Sequence, residues 1–265
     1  MRADDGKQYK LELPKTAYAK LGEKDGEQHN PKKADTSLLY LLTPATQAAV
    51  AFDASTDLTQ TTATSLTYSH TITGSNPVVV TGTRVCSSTV SGITWNGVAM
   101  SAGATNSAAG GSGCEDTVYY LKAPATGAHN TVVSVNASSD IAAATWSYTG
   151  ADQTTPAGGN NTADVTSANS ITLSITTTCD NAWLTAYGDN GGGGYSMAAG
   201  TTRRNPLAGG NAKFGVDSNA AKTPTGSYSL GLTSAGVQAW SMAGMAICPV
   251  GAAVVVPPQD IFIFD

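Results

Sequence analysis

Three histidines, His29, His70 and His129, are all that this 265-residue chain offers for acid–base chemistry near neutral pH. His70 falls in an alternating run that reads as a strand. His129 sits in the turn-like Gly127-Ala128-His129-Asn130, and His29 in a charged N-terminal stretch. A Ser–His–Asp site needs three groups that converge in space. Serine and aspartate are too abundant here for their presence to point anywhere, and no Gly-x-Ser-x-Gly elbow joins a strand to a helix. The histidines therefore read as packed or solvated. The acids within residues 48–249 are Asp53, Asp57, Glu115, Asp116, Asp140, Asp152, Asp164, Asp180, Asp189 and Asp217. With a single glutamate among them, they read as turn and cap residues rather than the paired carboxylates of a glycosidase. Glu115-Asp116 and Asp189-Asn190 are the places where oxygens could gather around calcium, although neither follows an EF-hand loop. No catalytic, cofactor-binding or metal-ligating residue is expected.

Two other residue types could carry function. Trp146, Trp183 and Trp240 each stand inside an apolar run and read as core, whereas Trp95 flanks the Asn96-Gly97 pair and is expected to be exposed. That makes Trp95 the candidate contact for a ligand or partner. Cys86, Cys114, Cys179 and Cys248 fit no zinc spacing and lie in or beside expected strands. They suit either buried thiols or disulfides. The N-terminus lacks the apolar stretch of a secretory signal, which favours a cytosolic origin and hence thiols. A Cys86–Cys114 bridge would add roughly 3 kcal/mol on the chain-entropy estimate.

The framework for these residues is a series of alternating segments. From Thr64 to Pro156 the clearest are 65–70, 78–85, 93–100, 117–121, 131–135 and 144–148. They are followed by 170–176, 182–187, 212–216, 227–232 and 237–243. Apolar or β-branched residues alternate with small polar ones, turn residues punctuate them, and helical periodicity is nearly absent. About twelve strands in two packed antiparallel sheets are the economical solution, a jelly-roll-like β-sandwich over 48–249. Asn96-Gly97 marks a tight hairpin, because both central residues of a type I′ turn need positive φ. The glycine run 191–194 has neither the lysine nor the following helix of a phosphate loop.

The ends differ from this middle. Residues 1–35 hold nearly half of the chain's charged side chains, with thin apolar content. Such a segment cannot offset its ordering entropy by itself. It is read, as part of an extended arm over 1–47, to order on a neighbouring subunit through Leu11, Leu13 and Tyr18. The Lys10–Pro14 stretch would add a strand to a partner's sheet. The tail 250–265 runs through Val254-Val255-Val256-Pro257-Pro258 to Ile261, Phe262, Ile263 and Phe264, whose apolar alternation calls for a docking surface.

Composition narrows the partners. Charged residues are only 12% of the chain and the net charge is −5, which argues against a nucleic-acid surface. No apolar run approaches the roughly 20 residues of a membrane span.

Four phrases follow one another in order: Ser65–Thr71, Ile93–Met100, Tyr119–Gly127 and Tyr148–Pro156. Together they resemble a β-sandwich module recurrent in bacteriophage virion proteins and bacterial surface proteins, over about residues 48–248. The Asp152-Gln153-Thr154-Thr155-Pro156 phrase and the Asn-Gly hairpin are its most specific parts. The module has no agreed catalytic residues to carry over. The resemblance implies a virion structural protein, a capsid decoration protein made in the host cytoplasm, with capsid shell subunits and copies of itself as partners. The alternative is a receptor-binding tail protein or bacterial adhesin that takes surface glycans.

Overall fold

In the computed structural model the described residues are 49–56, 59–109, 114–192, 194–205 and 213–251. The arm residues Leu11, Leu13 and Tyr18 and the tail residues Ile261, Phe262, Ile263 and Phe264 lie outside them. The described chain is all-β and antiparallel, as expected, and its fourteen strands form two sheets. Alternation is plain in β2 (Thr59–Ile72), where Leu66, Tyr68, His70 and Ile72 point inward and Ser65, Thr67, Ser69 and Thr71 face solvent.

The first sheet is built around β8 (Gly127–Thr149). One flank of β8 pairs with β1 (Ala51–Ser55) and β2. The other flank pairs with β3 (Val78–Cys86) and β4 (Val90–Trp95). Beyond β3 come β7 (Cys114–Lys122) and β6 (Ser101–Ala109). The two-residue β5 (Val98–Ala99) closes a hairpin on β4. Asn96 and Gly97 hold that turn with φ of 48° and 76°, as the sequence predicts.

β8 is folded back on itself. Thr131 and Thr145 are fourteen residues apart, about 46 Å in a straight strand. Yet their hydroxyls stand 3.1 Å apart. The fold-back turns one sheet into two facing layers around a core of Leu66, Ile72, Val79, Ile93, Trp95, Val133 and Ile141.

The second sheet repeats this plan. Its strands are β9 (Ala157–Thr176), β10 (Trp183–Asp189), β11 (Ser196–Met197), β12 (Thr201–Arg203), β13 (Lys213–Ser218) and β14 (Ser227–Ile247). The order β4-β8-β3-β7-β6 recurs as β11-β14-β10-β13-β12, and β9 lies on β14 as β2 lies on β8. Registers coincide as well. Val133 is flanked by Leu66 and Ile93, and Leu232 by Ile171 and Met197. Val78 faces Tyr148 as Trp183 faces Ile247, and Gly82 faces Val118 as Tyr187 faces Gly215. β9 also folds back, with Asn161 Nδ2 donating to the Ser174 carbonyl at 2.8 Å. Even the turns agree: Asn76 and Asn181, at matched positions, have φ of 48° and 56°. The expected single sandwich is thus one compact unit made of two structural repeats, joined through Asp152–Pro156.

Equivalent strands build the junction between the repeats. Val78, Val80, Trp146 and Tyr148 from the first meet Tyr187, Ala243, Met245 and Ile247 from the second. The contacts are reciprocal. Trp146 presses on Gly215, and Met245 presses on Gly103 beside Val118. This is the isologous pattern of a two-fold dimer, here within one chain. Gly82 is required at the centre, because a Cβ there would stand 2.4 Å from Tyr187 atoms.

All four cysteines are bridged, Cys86 to Cys114 and Cys179 to Cys248, which corrects the expectation of thiols. Cys86 and Cys114 are directly opposed across the β3–β7 pair, a placement that strand register decides and compartment arguments do not.

Candidate functional site

Three polar constellations stand out, each built on aspartates that the sequence suggests as turn and cap residues. The first runs from part-exposed Asp53 and Thr56 to buried His70 and Ser147 in the first repeat. Ser147 Oγ bonds Asp53 Oδ2 at 2.8 Å and His70 Nε2 at 3.0 Å, and His70 Nδ1 meets Thr56 Oγ1 at 2.8 Å. An ionised carboxylate only accepts, so Ser147 donates to Asp53 and accepts from His70 Nε2–H. Thr56 then donates to Nδ1. A nucleophilic triad needs the opposite polarity, with the serine proton directed toward the histidine. Ser147 is also fully buried, so this chain of bonds does not activate it toward a substrate. Burial pushes His70 down to about 4, only partly opposed by the Asp53 charge, and the ring is neutral at neutral pH. Burial alone would raise Asp53, but hydrogen bonds from Thr73 and Ser147 outweigh it and hold the carboxyl below its ordinary value. Beside this chain, Tyr68 Oη, Thr81 Oγ1 and Thr131 Oγ1 all meet Thr145 Oγ1 within 2.8–3.1 Å.

The second constellation lies at the junction. Arg84 of β3 pairs with Asp116 of β7 at 3.0 Å and with Asp189 of β10 at 3.1 Å. Ser241 of β14 donates to Asp116 as well. Both pairs weighed for calcium, Glu115-Asp116 and Asp189-Asn190, therefore contribute to one place, where a guanidinium supplies the positive charge. Among the described residues no group of three or more His, Cys, Asp or Glu is arranged to hold a metal ion. Burial pushes Asp116 up to about 7 despite the Arg84 charge.

The third is centred on Asp217 of β13. Its Oδ2 accepts from Arg204 Nε at 2.7 Å, Trp183 Nε1 at 2.9 Å and Tyr148 Oη at 3.2 Å. Burial raises the Asp217 pKa, against the hydrogen bond from Arg204. Arg204 also lies over the Phe52 ring, 4.0 Å from its centroid, so this cluster again ties the two repeats.

These contacts correct the reading of the acids. Asp53, Asp116, Asp189 and Asp217 are strand residues with internal partners. Asp152 and Asp180 do cap turns, accepting from Thr154 and Thr155 and from Thr225 backbone N–H groups. The tryptophan reading needs correction at Trp95, which is fully buried rather than exposed. Its ring is held edge-on between His70 and His129, with both centroid separations 5.7 Å. The alternation Ile93-x-Trp95 places both on the inner face, and the following Asn-Gly turn does not change that parity. Trp146 and Trp240 are core, as expected, and Trp183 is half-buried against the junction. His129 lies within strand β8, not in a turn.

No protein-family model, curated protein or solved structure matches this chain.

The surface concavities are open. One, of about 440 Å³, is lined by Thr94, Asn96, Gly97, Ala128, His129, Asn130 and Val132 at the hairpin end of the first repeat. A second, of about 320 Å³, runs along the Cys179–Cys248 bridge beside Asp152 and Thr155.

Proposed function

We propose that this chain is a bacteriophage virion structural protein, a capsid decoration protein whose two ends contact neighbouring subunits. The observation that carries the reading is that both repeats are filled solids with a covalent bridge each. Their buried acids and histidine are committed to internal bonds, so the described body reads as a scaffold. Disulfides persist on virion and cell surfaces, where no thiol pool reduces them. The bridges would close once the particle leaves the host cytoplasm. Outward faces of the long strands present hydroxyl rows, Ser65, Thr67, Ser69 and Thr71 on β2 and Thr172, Ser174 and Thr176 on β9, a neutral exterior for such a particle. Extended ends that add backbone hydrogen bonds to a neighbour, repeated over a symmetric shell, would supply the strength of attachment.

Limited proteolysis of the free protein and of particles from the same source tests this. Loss of 1–47 and 250–265 from the free protein, with both protected on the particle, is the expected result. Protection of both ends in the free monomer would end the decoration reading.

A further inference from the structure

The two repeats share a plan but not an interior, and the difference is concentrated at one end of the first. At matched register, Tyr68, His70, Thr81, Thr131, Thr145 and Ser147 of the first repeat correspond to Leu173, Ile175, Ala186, Leu230, Gly244 and Ala246 of the second. At these six positions the second repeat closes on apolar residues and a glycine, although it buries polar side chains elsewhere, Asn190 and Asp217 among them. At those positions the first therefore carries a buried polar network that the architecture does not demand. Departures of this kind concentrate at functional sites.

The network leads to the surface. Asp53 holds Ser147, Ser147 holds His70, His70 abuts Trp95, and Trp95 abuts His129, which is part of the 440 Å³ cleft. His129 is itself fixed, its Nε2 donating to the Thr126 carbonyl at 3.0 Å, so Nδ1 is left as an acceptor. Asn96 and Asn130 are exposed on either side, and Thr94 completes the wall. No hydrogen bond joins these three side chains to other described residues. Acceptor and donor groups thus line one concavity without an Asp, Glu, Lys or Arg side chain. The second repeat has Tyr228 and Ser229 where His129 and Asn130 stand.

We propose that this cleft is a binding site for a neutral, hydroxyl-rich ligand, a carbohydrate, with His129, Asn96, Asn130 and Thr94 as its contacts. Uncharged amides, a hydroxyl and an imidazole acceptor match the alternating donors and acceptors of sugar hydroxyls, and an open concavity suits one or two sugar rings at a chain end. The buried Trp95 and His70 are positioning residues that hold the His129 ring.

The test uses the full chain, with the side-chain NMR signals of His129, Asn96 and Asn130 followed during titration with glucose, galactose, mannose, N-acetylglucosamine and lactose. Saturable shifts at those residues with at least one sugar are expected. His129→Ala should weaken binding about tenfold, the scale of one lost hydrogen bond and its packing. Ala128→Leu, at an exposed lining position, should weaken it by obstruction without removing a polar group. Tyr228→Ala, at the matched site of the second repeat, should leave it unchanged. Absence of saturable shifts with every sugar, or binding that survives both H129A and A128L, would overturn the assignment. An equal response to glucuronate would overturn the neutral ligand class.

Discussion

Placed side by side, the two repeats answer the same topology with different chemistry. The second buries Ile171, Leu173, Ile175, Leu184, Phe214, Leu230 and Trp240, and carbon fills the space where the first repeat places its His70 network. The first fills the matching space partly with His70, Ser147, Thr131 and Thr145, each of which needs a partner to offset its lost hydration. Their bridges differ too. Gly74 lies against Thr149 in the first repeat, and at the matched positions of the second stand Cys179 and Cys248. The first is stapled instead across β3 and β7. At the junction Arg84 and Asp189 hold equivalent positions and opposite charges, so they pair with one another. Two copies of the first repeat would set arginine against arginine there, and two of the second would set aspartate against aspartate. The charge difference specifies the unlike pairing.

The largest effect on this comparison should come from Arg84→Met. It leaves Asp116 and Asp189 buried without a counter-charge, and about 3–5 kcal/mol of stability should be lost in denaturant unfolding. Adding Asp116→Leu and Asp189→Leu should recover most of it. The bridges come next. Loops of 69 and 28 residues imply roughly 4.5 and 3.5 kcal/mol on the chain-entropy model. The Cys179→Ser/Cys248→Ser pair should therefore lower the denaturation midpoint more than Cys86→Ser/Cys114→Ser.

Making the first interior resemble the second sharpens the contrast further. Ser147→Ala alone strands His70 Nε2 and should cost about 1–3 kcal/mol. The double variant Ser147→Ala/His70→Ile should lie above the sum of the single effects, a coupling that a double-mutant cycle reads directly. The mildest test concerns pH. His70 has a folded pKa below its unfolded value, so its contribution is present above about 6.5 and is lost as pH falls toward about 4. Asp116 has a folded pKa above its unfolded value, so its contribution is present below about 3.8 and is lost as pH rises through about 7. The two slopes oppose each other between pH 4 and 6.5. His70→Ile should expose a stability that falls with pH across this window, and Asp116→Asn one that rises. Melting temperatures across the window check both.

Strand positions and fold class were legible because alternation is a local signal, and Leu66-x-Tyr68-x-His70-x-Ile72 carries it without help. The duplication was not read from the sequence, although Ser65-Leu66-Thr67-Tyr68-Ser69 matches Ser170-Ile171-Thr172-Leu173-Ser174. Only a comparison of the chain with itself brings it out. The acids were misread for a physical reason. Asp116 and Asp189 are far apart in sequence, and nothing near either announces that Arg84 will neutralise both. Trp95 was misread because its neighbour, the Asn-Gly turn, is exposed, while strand parity turns the indole itself inward. The cleft draws on β4 and β8, so it exists only once the register between them is set.

The place of β8 in the chain bears on how the molecule is made. The strand that β1, β2, β3 and β4 all require is the last of its repeat to leave the ribosome. Until Gly127–Thr149 emerges, each of those four strands has an edge without its partner. Non-local closure of this kind is slow and leaves aggregation-prone intermediates. The threonine and serine that alternate through β2 make one face of its waiting segment polar. Once β8 arrives, the first repeat can close as a unit and offer Val78, Val80, Trp146 and Tyr148 as a template on which β10 and β14 assemble.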